Sequence, residues 1–172
     1  MSQDYAAFRR LDRAPEDVFE LVSDIERYPD FIKYITALRV RNKQVDGDVM
    51  RCEAEARIRY KFITERFTTA VETDARALSI EVGLISGPFS ALANHWRFHR
   101  LSDGSTLVDF WIRAAFRNPI LQGFFDANRM RAVRSLMGQF EKAAQARYAP
   151  VGGEASALDE EIQALIEKLE RD

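Results

Sequence analysis

Cysteine and histidine are scarce in this sequence. It contains one cysteine, Cys52, and two histidines among its 172 residues. A single cysteine excludes an internal disulfide and cannot build a metal site alone. Cys52 falls on the apolar face of a predicted strand, where a thiol usually serves as a small packing group. No Gly-x-Ser-x-Gly or comparable nucleophile–base motif is present, so we expect a protein that is not an enzyme.

Long apolar runs and a strong charge of one sign are also lacking. No run of 18 apolar residues occurs, so a membrane-spanning helix is not expected. The N-terminal MSQDYAAFRR lacks the apolar core of a secretion signal, which predicts a cytoplasmic protein. The net charge of −2 divides unevenly, with −5 on residues 150–172 and +3 on residues 1–149. That mild basic excess falls short of a nucleic-acid-binding domain, and DNA is not an expected partner.

The N-terminal region predicts a strand followed by two short helices. Residues 5–10 alternate between two faces, as a strand does. Residues 15–25 show helical apolar spacing and begin with a proline and two acids in the first turn. Pro29 cannot continue that helix, so residues 27–32 are predicted to form a second one.

Six strands are predicted to follow, because the apolar period changes from 3.6 to 2. They cover residues 37–45, 49–60, 62–73, 78–84, 93–101 and 106–116. The clearest is 49–60, in which Cys52, Ala54 and Ala56 alternate with charged residues, as in an antiparallel strand with one buried face. The Asp-Gly-Asp at residues 46–48 is a strong hairpin signal.

Residues 118–148 predict an amphipathic helix of about seven or eight turns. Asn118 can cap this helix, and Pro119 presets its first backbone angle. The helix is far longer than the usual ~11–12 residues, so it needs a large partner surface. The six-strand meander supplies one, which predicts a two-layer α+β domain over residues 1–148. A twisted sheet of this size is expected to curl around the helix.

Residues 149–172 read as a linker and an acidic amphipathic tail outside this domain. Leu158, Ile162, Leu165 and Leu169 follow heptad spacing, but fewer than three heptads are too few to predict a coiled coil. A disordered or loosely helical tail, a docked helix and an oligomerisation strip all remain open.

Side chains alternate between the two faces of a strand, and this alternation (the strand parity) places many aromatic residues on the concave face of the sheet. Two interpretations remain open: a well-packed core, which is the common outcome, and an apolar ligand pocket with a few polar groups. Glu65 is predicted to lie on the same side of its strand as Phe67. An ion-paired position at the edge of the sheet is favoured over burial of its carboxylate. His95 and His99 lie about 13 Å apart on a strand, too far for shared metal ligation, and are expected at the surface.

Two blocks of sequence resemble a known family. PEDVFELVSDIERYPDFI at residues 15–32 is similar to the START-like helix-grip superfamily of polyketide cyclases and lipid carriers. GPFSALANHWRFHRL at residues 87–101 and VDFWIRAAFRNPILQGFF at residues 108–125 resemble its coenzyme Q-binding subfamily. The resemblance extends over residues 3–148.

The resemblance implies a helix-grip fold of about seven antiparallel strands wrapped around the long helix. It also implies that the tunnel under this helix holds ubiquinone or a related isoprenoid quinone, without chemistry and without a further cofactor. Such a protein supports respiration and contacts the inner membrane surface or respiratory complexes. Bacterial members of the family are also known as ribosome-association toxins, which block joining of the large subunit. A polyketide cyclase or aromatase is the third alternative.

The resemblance and the strand parities together predict three groups of site residues. The tunnel mouth comprises Tyr28, Pro29, Gly87 and Pro88. Arg129, Arg131 and Arg134 are predicted to face outward on the long helix, toward anionic lipid head groups or ribosomal RNA phosphates. The tunnel lining comprises Phe31, Phe67, Phe89, Trp96, Phe98, Phe110, Ile112, Phe124, Phe125, Val133, Met137 and Phe140.

Overall fold

The structure is a computed structural model that describes residues 3–172. Seven strands and three α-helices follow one another, with short 3-10 segments at Ile25–Asp30 and Ala155–Leu158. The helices are α1 (Pro15–Ser23), α2 (Pro119–Arg147) and α3 (Asp159–Arg171). The strands are β1 (Gln3–Leu11), β2 (Ile35–Asp46), β3 (Val49–Tyr60), β4 (Ile63–Asp74), β5 (Ser79–Ser86), β6 (Phe89–Arg100) and β7 (Thr106–Phe116). No helix in residues 3–172 has both the length and the apolar character needed to cross a bilayer.

All seven strands form one antiparallel sheet in the order β1-β7-β6-β5-β4-β3-β2. Strands β2 to β7 are a meander in which each strand pairs with the next one along the chain. The first strand instead pairs with the last, with Gln3 opposite Ala114 and Leu11 opposite Thr106. The sheet curls around α2, so the predicted α+β helix-grip fold is confirmed.

Helix α2 begins where the sequence predicts. The Asn118 side-chain Oδ1 accepts hydrogen bonds from the backbone N–H groups of Ile120 (2.8 Å) and Leu121 (3.4 Å). These bonds satisfy donors that a helix start otherwise leaves without partners. Pro119 occupies the first helical position. The buried face that α2 turns toward the sheet includes Val133, Met137, Phe140 and Ala144.

Strand β6 begins at Phe89, four residues earlier than predicted. The Gly-Pro pair at residues 87–88 joins Ser86, where β5 ends, to Phe89, where β6 begins, and the two strands are paired from Ser79 opposite Arg97 to Gly83 opposite Ala93. Gly87 has φ +145°, which side chains rarely adopt, and its backbone packs directly on Phe67 of β4. The sequence signal for a chain break therefore marked a turn inside the sheet.

The C-terminal tail is a helix docked on the outer face of the sheet. Leu158 is buried in a small cluster with Leu101 and Leu107, and Phe8 packs against them. Asp103 connects the linker before α3 to the sheet. Its Oδ2 accepts hydrogen bonds from the Gly153 N–H (2.9 Å) in the linker and from the Arg10 guanidinium (3.0 Å) on β1. Burial opposes the charge on Asp103, but these bonds and two from Ser105 hold the pKa of this carboxyl well below its usual range.

Candidate ligand-binding cavity

Two chambers lie between α2 and the concave face of the sheet. The outer chamber has a volume of about 220 Å³ and the inner chamber about 200 Å³. They are neighbours, because the side chains of Phe67, Leu92, Ile112 and Leu136 line both. Together they fall within the range of about 300–1,000 Å³ that is typical of ligand pockets.

Small residues at inward-facing positions leave this space open. Ala54 and Ala56 are buried on β3 and line the inner chamber. Ala114 on β7 and Ala132 on α2 line the outer chamber. The methyl groups at these positions are too short to reach the opposite wall. The space between the helix and the sheet is therefore not filled there.

The outer chamber lies at the end of the sheet where α2 begins. Its wall includes Tyr60 and Ile63 on either side of the β3–β4 turn, and Phe124 from the first turns of α2. In that turn, Phe62 is 70 % exposed and its ring lies 4.6 Å from the ring of Phe124. The Lys61 Nζ lies 5.8 Å from the centre of the Phe124 ring. The β3–β4 turn beside the outer chamber therefore carries an exposed aromatic ring and a cation.

Gly87 fixes one wall of the outer chamber, because a Cβ atom built at this position would lie 2.5 Å from the Phe67 Cβ. We expect Gly87→Ala to destabilise the fold by roughly 1–3 kcal/mol, through this overlap and the unfavourable φ. Phe67 is also expected to shift into the chamber and weaken ligand binding. Urea denaturation measures the first effect. Gly83→Ala on β5, where no atom lies within 4 Å of the added Cβ, is the control, and equal losses for both variants contradict the argument.

The inner chamber carries three polar side chains among its apolar ones: Tyr28, Thr69 and Asn94. The Tyr28 hydroxyl donates a hydrogen bond to the Val22 carbonyl. Burial, with a smaller contribution from Asp24, raises the pKa of Tyr28, so it stays protonated. Thr69 Oγ1 lies 3.5 Å from the Ala54 carbonyl oxygen, at the limit of a hydrogen bond. The Asn94 Oδ1 is buried and has no hydrogen-bond partner in the described part of the chain.

Asn94 was not among the residues predicted from the sequence. The signal that identifies it is parity: on β6 it lies between Leu92 and Trp96, both of which face the cavity. An amide at an inward position of an otherwise apolar strand face is unusual, because a buried polar group without a partner is costly.

Nine of the twelve predicted lining residues border one or both chambers. Phe89, Phe124, Phe125 and Val133 line the outer chamber, Trp96, Phe110 and Phe140 line the inner one, and Phe67 and Ile112 line both.

The other three, Phe31, Phe98 and Met137, line neither chamber. The Phe98 ring packs edge-on against Phe19 of α1, and Phe31 packs against Phe140 at 5.3 Å. Met137 is buried in the core and borders only a void of about 20 Å³. Helix α1 and the following 3-10 segment cover this end of the sheet, which strand parity alone does not reveal.

The four residues predicted for the tunnel mouth lie in two places. Gly87 and Pro88 connect β5 to β6 beside Phe67 and Phe89, next to the outer chamber. Tyr28 lines the inner chamber, and Pro29 lies in the 3-10 segment that follows α1. Neither Tyr28 nor Pro29 lines the outer chamber.

The three arginines predicted to face outward from α2 do not share one face. Arg129 lines the outer chamber, which corrects the prediction that it faces outward. Its position explains this, since it lies four residues after Phe125 and four before Val133, on the same side of the helix. Arg131 and Arg134 are exposed as predicted.

The remaining candidates for chemistry lie away from the chambers. His95 Nε2 lies 3.9 Å from Asp109 Oδ1, and His99 Nε2 lies 3.5 Å from Asp109 Oδ2. Burial, followed by the nearby Arg97, lowers the pKa of His95. Burial raises the pKa of the Cys52 thiol, as expected for a packing group. Within residues 3–172, no group of three metal-ligating side chains is arranged to hold an ion.

Glu65 is half-buried on β4 and pairs across strands with Ile58. It lines neither chamber. The ion pair favoured from the sequence does not form with any described residue. A general acid or base deep in the cavity is therefore not supplied by Glu65.

Comparison with known proteins identifies relatives of this chain. Residues 11–141 match the sequence profile of the family described as polyketide cyclase / dehydrase and lipid transport. The chain is 39 % identical to an 18 kDa protein from Caulobacter crescentus, whose solution structure superposes with a TM-score of 0.72 over 84 % of this chain and 97 % of that one. It is 29 % identical over 137 residues to the ribosome association toxin RatA of Rickettsia prowazekii, covering 76 % of this chain and 88 % of the toxin.

A more distant solved structure supports the fold alone. The Zhui aromatase/cyclase from a Streptomyces strain superposes with a TM-score of 0.73 over 86 % of this chain and 96 % of that one, at 11 % identity. The same two-layer architecture thus occurs at very low sequence identity.

Proposed function

The chain belongs to the polyketide cyclase / dehydrase and lipid transport family, and from that membership we propose that it is a carrier of ubiquinone or a related isoprenoid quinone. The quinone occupies the two chambers under α2. The protein presents it to the respiratory chain at the inner membrane surface and performs no chemistry on it. The observation that carries this proposal is the apolar, two-chambered cavity.

The composition of the cavity wall supports a carrier over an enzyme. Among the described residues, the two linings contain no carboxylate, imidazole or thiol side chain. General acid–base catalysis at neutral pH relies on such groups, or on another group whose pKa lies near the working pH. Tyr28 does not meet this need, because its pKa is raised. Within this family, a polyketide cyclase is therefore less well supported than a carrier.

Organic extraction followed by mass spectrometry tests the proposal. Purified protein is first incubated with vesicles that contain ubiquinone, then separated from them by gel filtration and extracted. We expect nearly one quinone per chain. Protein that retains no quinone after this loading step would rule the carrier function out.

Similarity to the RatA toxin favours a second candidate, association with the large ribosomal subunit that blocks subunit joining. The exposed Arg131 and Arg134 lie three residues apart, so they are neighbours on the surface of α2 and suit a phosphate backbone. This candidate predicts cosedimentation with large subunits that weakens with rising salt. It also predicts weaker cosedimentation for the double variant Arg131→Glu, Arg134→Glu. No ribosome-bound protein at low salt would exclude it.

A further inference from the structure

Asn94 places an unsatisfied amide in the wall of an otherwise apolar chamber. Its cross-strand neighbours are Val82 on β5 and Ile112 on β7. Along β6 it is flanked on the same face by Leu92 and Trp96. All four neighbours line the inner chamber with it. The Asn94 Oδ1 is a hydrogen-bond acceptor, and no donor among the described residues is bonded to it.

Such an arrangement is costly for the empty protein. Buried side-chain polar atoms almost always have a hydrogen-bond partner, and a leucine at this position would pack without the desolvation cost of an amide. A bound molecule that supplies the missing hydrogen-bond partner removes this desolvation cost. The amide therefore has the property expected of a ligand-binding group. Thr69 Oγ1 lies in the same chamber and is held by one long contact of 3.5 Å to Ala54.

Two other polar side chains of the cavity wall already have hydrogen-bond partners. The Asn128 side chain of the outer chamber donates from Nδ2 to the Phe124 carbonyl at 2.8 Å and accepts at Oδ1 from Lys61 Nζ at 3.2 Å. The Tyr28 hydroxyl is bound to Val22. The buried Asn94 Oδ1, which still needs a donor, lies in the inner chamber.

We infer that the inner chamber is a head-group subsite and that the ligand enters polar end first. The Asn94 Oδ1 accepts a hydrogen bond from a hydroxyl of the ligand head group, as a reduced quinone provides, and the Thr69 hydroxyl is a second polar group in the same chamber. The apolar tail then runs through the outer chamber toward the opening beside Phe62 and Phe124. This orientation rests on the proposed carrier function and adds to it the position of the head group.

Two probes with the same tail separate the subsite from the carrier function: decylubiquinol, which has ring hydroxyls, and decylbenzene, which has none. In Asn94→Leu, we expect affinity for decylubiquinol to fall roughly tenfold, because a ring hydroxyl loses its acceptor. Affinity for decylbenzene is expected to stay unchanged. The Tm of the empty variant is expected to rise by roughly 5 °C, because the unpaired amide is gone. That rise also shows that the variant is folded.

The outer chamber provides the opposing variant. Asn128→Leu is expected to leave the preference for decylubiquinol over decylbenzene as it is in the original protein. A preference lost in Asn128→Leu and kept in Asn94→Leu overturns the inferred orientation, as does an equal loss for both probes in Asn94→Leu. If the original protein binds neither probe, the carrier function fails and the subsite fails with it.

Tryptophan fluorescence gives an independent reading of the orientation. The chain has two tryptophans: Trp96 lines the inner chamber, and Trp111 stacks on His95 on the outer face of the sheet. In Trp111→Phe, all tryptophan emission comes from Trp96. A quinone ring beside Trp96 quenches this emission strongly, and decylbenzene does not. Saturating decylubiquinone that leaves the emission of Trp96 unchanged overturns the inference.

Discussion

Ala132→Trp is expected to lower the affinity for decylubiquinone by on the order of 50-fold. Ala132 lines the outer chamber from α2, so an indole at this position fills space that the ligand tail would occupy. Displacing about three methylenes at about 0.8 kcal/mol each gives that factor. Titration with decylubiquinone, followed by tryptophan quenching or by extraction and mass spectrometry, measures the change.

Ala127→Trp is the matched control for this prediction. Ala127 lies on the same helix but is exposed and lines neither chamber. Its affinity for decylubiquinone is expected to equal that of the original protein. If both variants bind equally well, the quinone does not pass through the outer chamber and the proposed cavity is the wrong site.

Phe110→Ala is expected to lower the free energy of unfolding by about 3–5 kcal/mol. Phe110 is only 1 % exposed, and its ring lies 4.5 Å from that of Trp96 in the centre of the core. Removing it enlarges a chamber that is already open, so the neighbouring side chains cannot close the gap cheaply. For a chain of this length, Tm should fall by roughly 6–20 °C. Urea and thermal denaturation measure both quantities.

Trp111→Ala provides the comparison, since Trp111 is the next residue on β7 and faces the other side of the sheet. It is half-buried and stacks on His95 at 5.4 Å. Truncation there leaves no enclosed cavity, and a loss of roughly 1 kcal/mol is expected. A loss as large as that of Phe110→Ala would mean that the concave side of the sheet does not hold the main core.

The element order could be predicted from the sequence because each strand of the meander carries its own signal. Strands β3 and β7 match their predicted bounds of 49–60 and 106–116. Apolar and polar residues alternate through most of β3, and in β7 the inward Val108, Phe110 and Ile112 alternate with Asp109, Trp111 and Arg113. Helix α2 is marked by Asn118 and Pro119, whose capping chemistry is local. Local signals are sufficient here because every strand from β2 to β7 pairs with its sequence neighbour.

The division of the inward face into chambers and solid core could not be predicted in the same way. Parity tells which side of a strand a residue faces, but not which element covers it. Phe98 and Phe110 share a face, yet α1 packs over Phe98 while Phe110 borders open space. The space itself depends on small residues on facing elements, such as Ala56 and Ala132, which lie far apart in the sequence. The direction of Arg129 likewise depends on its rotation about α2 relative to Phe125 and Val133.

Asn94 illustrates a different limit of sequence reasoning. Its inward parity follows from its neighbours Leu92 and Trp96. Whether its amide has a partner depends on the residues that face it from β5 and β7. Those neighbours are apolar, which only the register of the sheet reveals.

The pairing of the first strand with the last has a consequence for biosynthesis. When β1 leaves the ribosome, its partner strand β7 has not yet been made, since Leu11 must wait for Thr106. At a translation rate of ~5–20 residues per second, that wait is roughly 5–20 s. The hairpins of β2 to β7 can form in order during this time, and we expect β1 to join last. A nascent chain arrested before residue 106 should therefore keep β1 open to proteolysis, and one released after residue 116 should protect it.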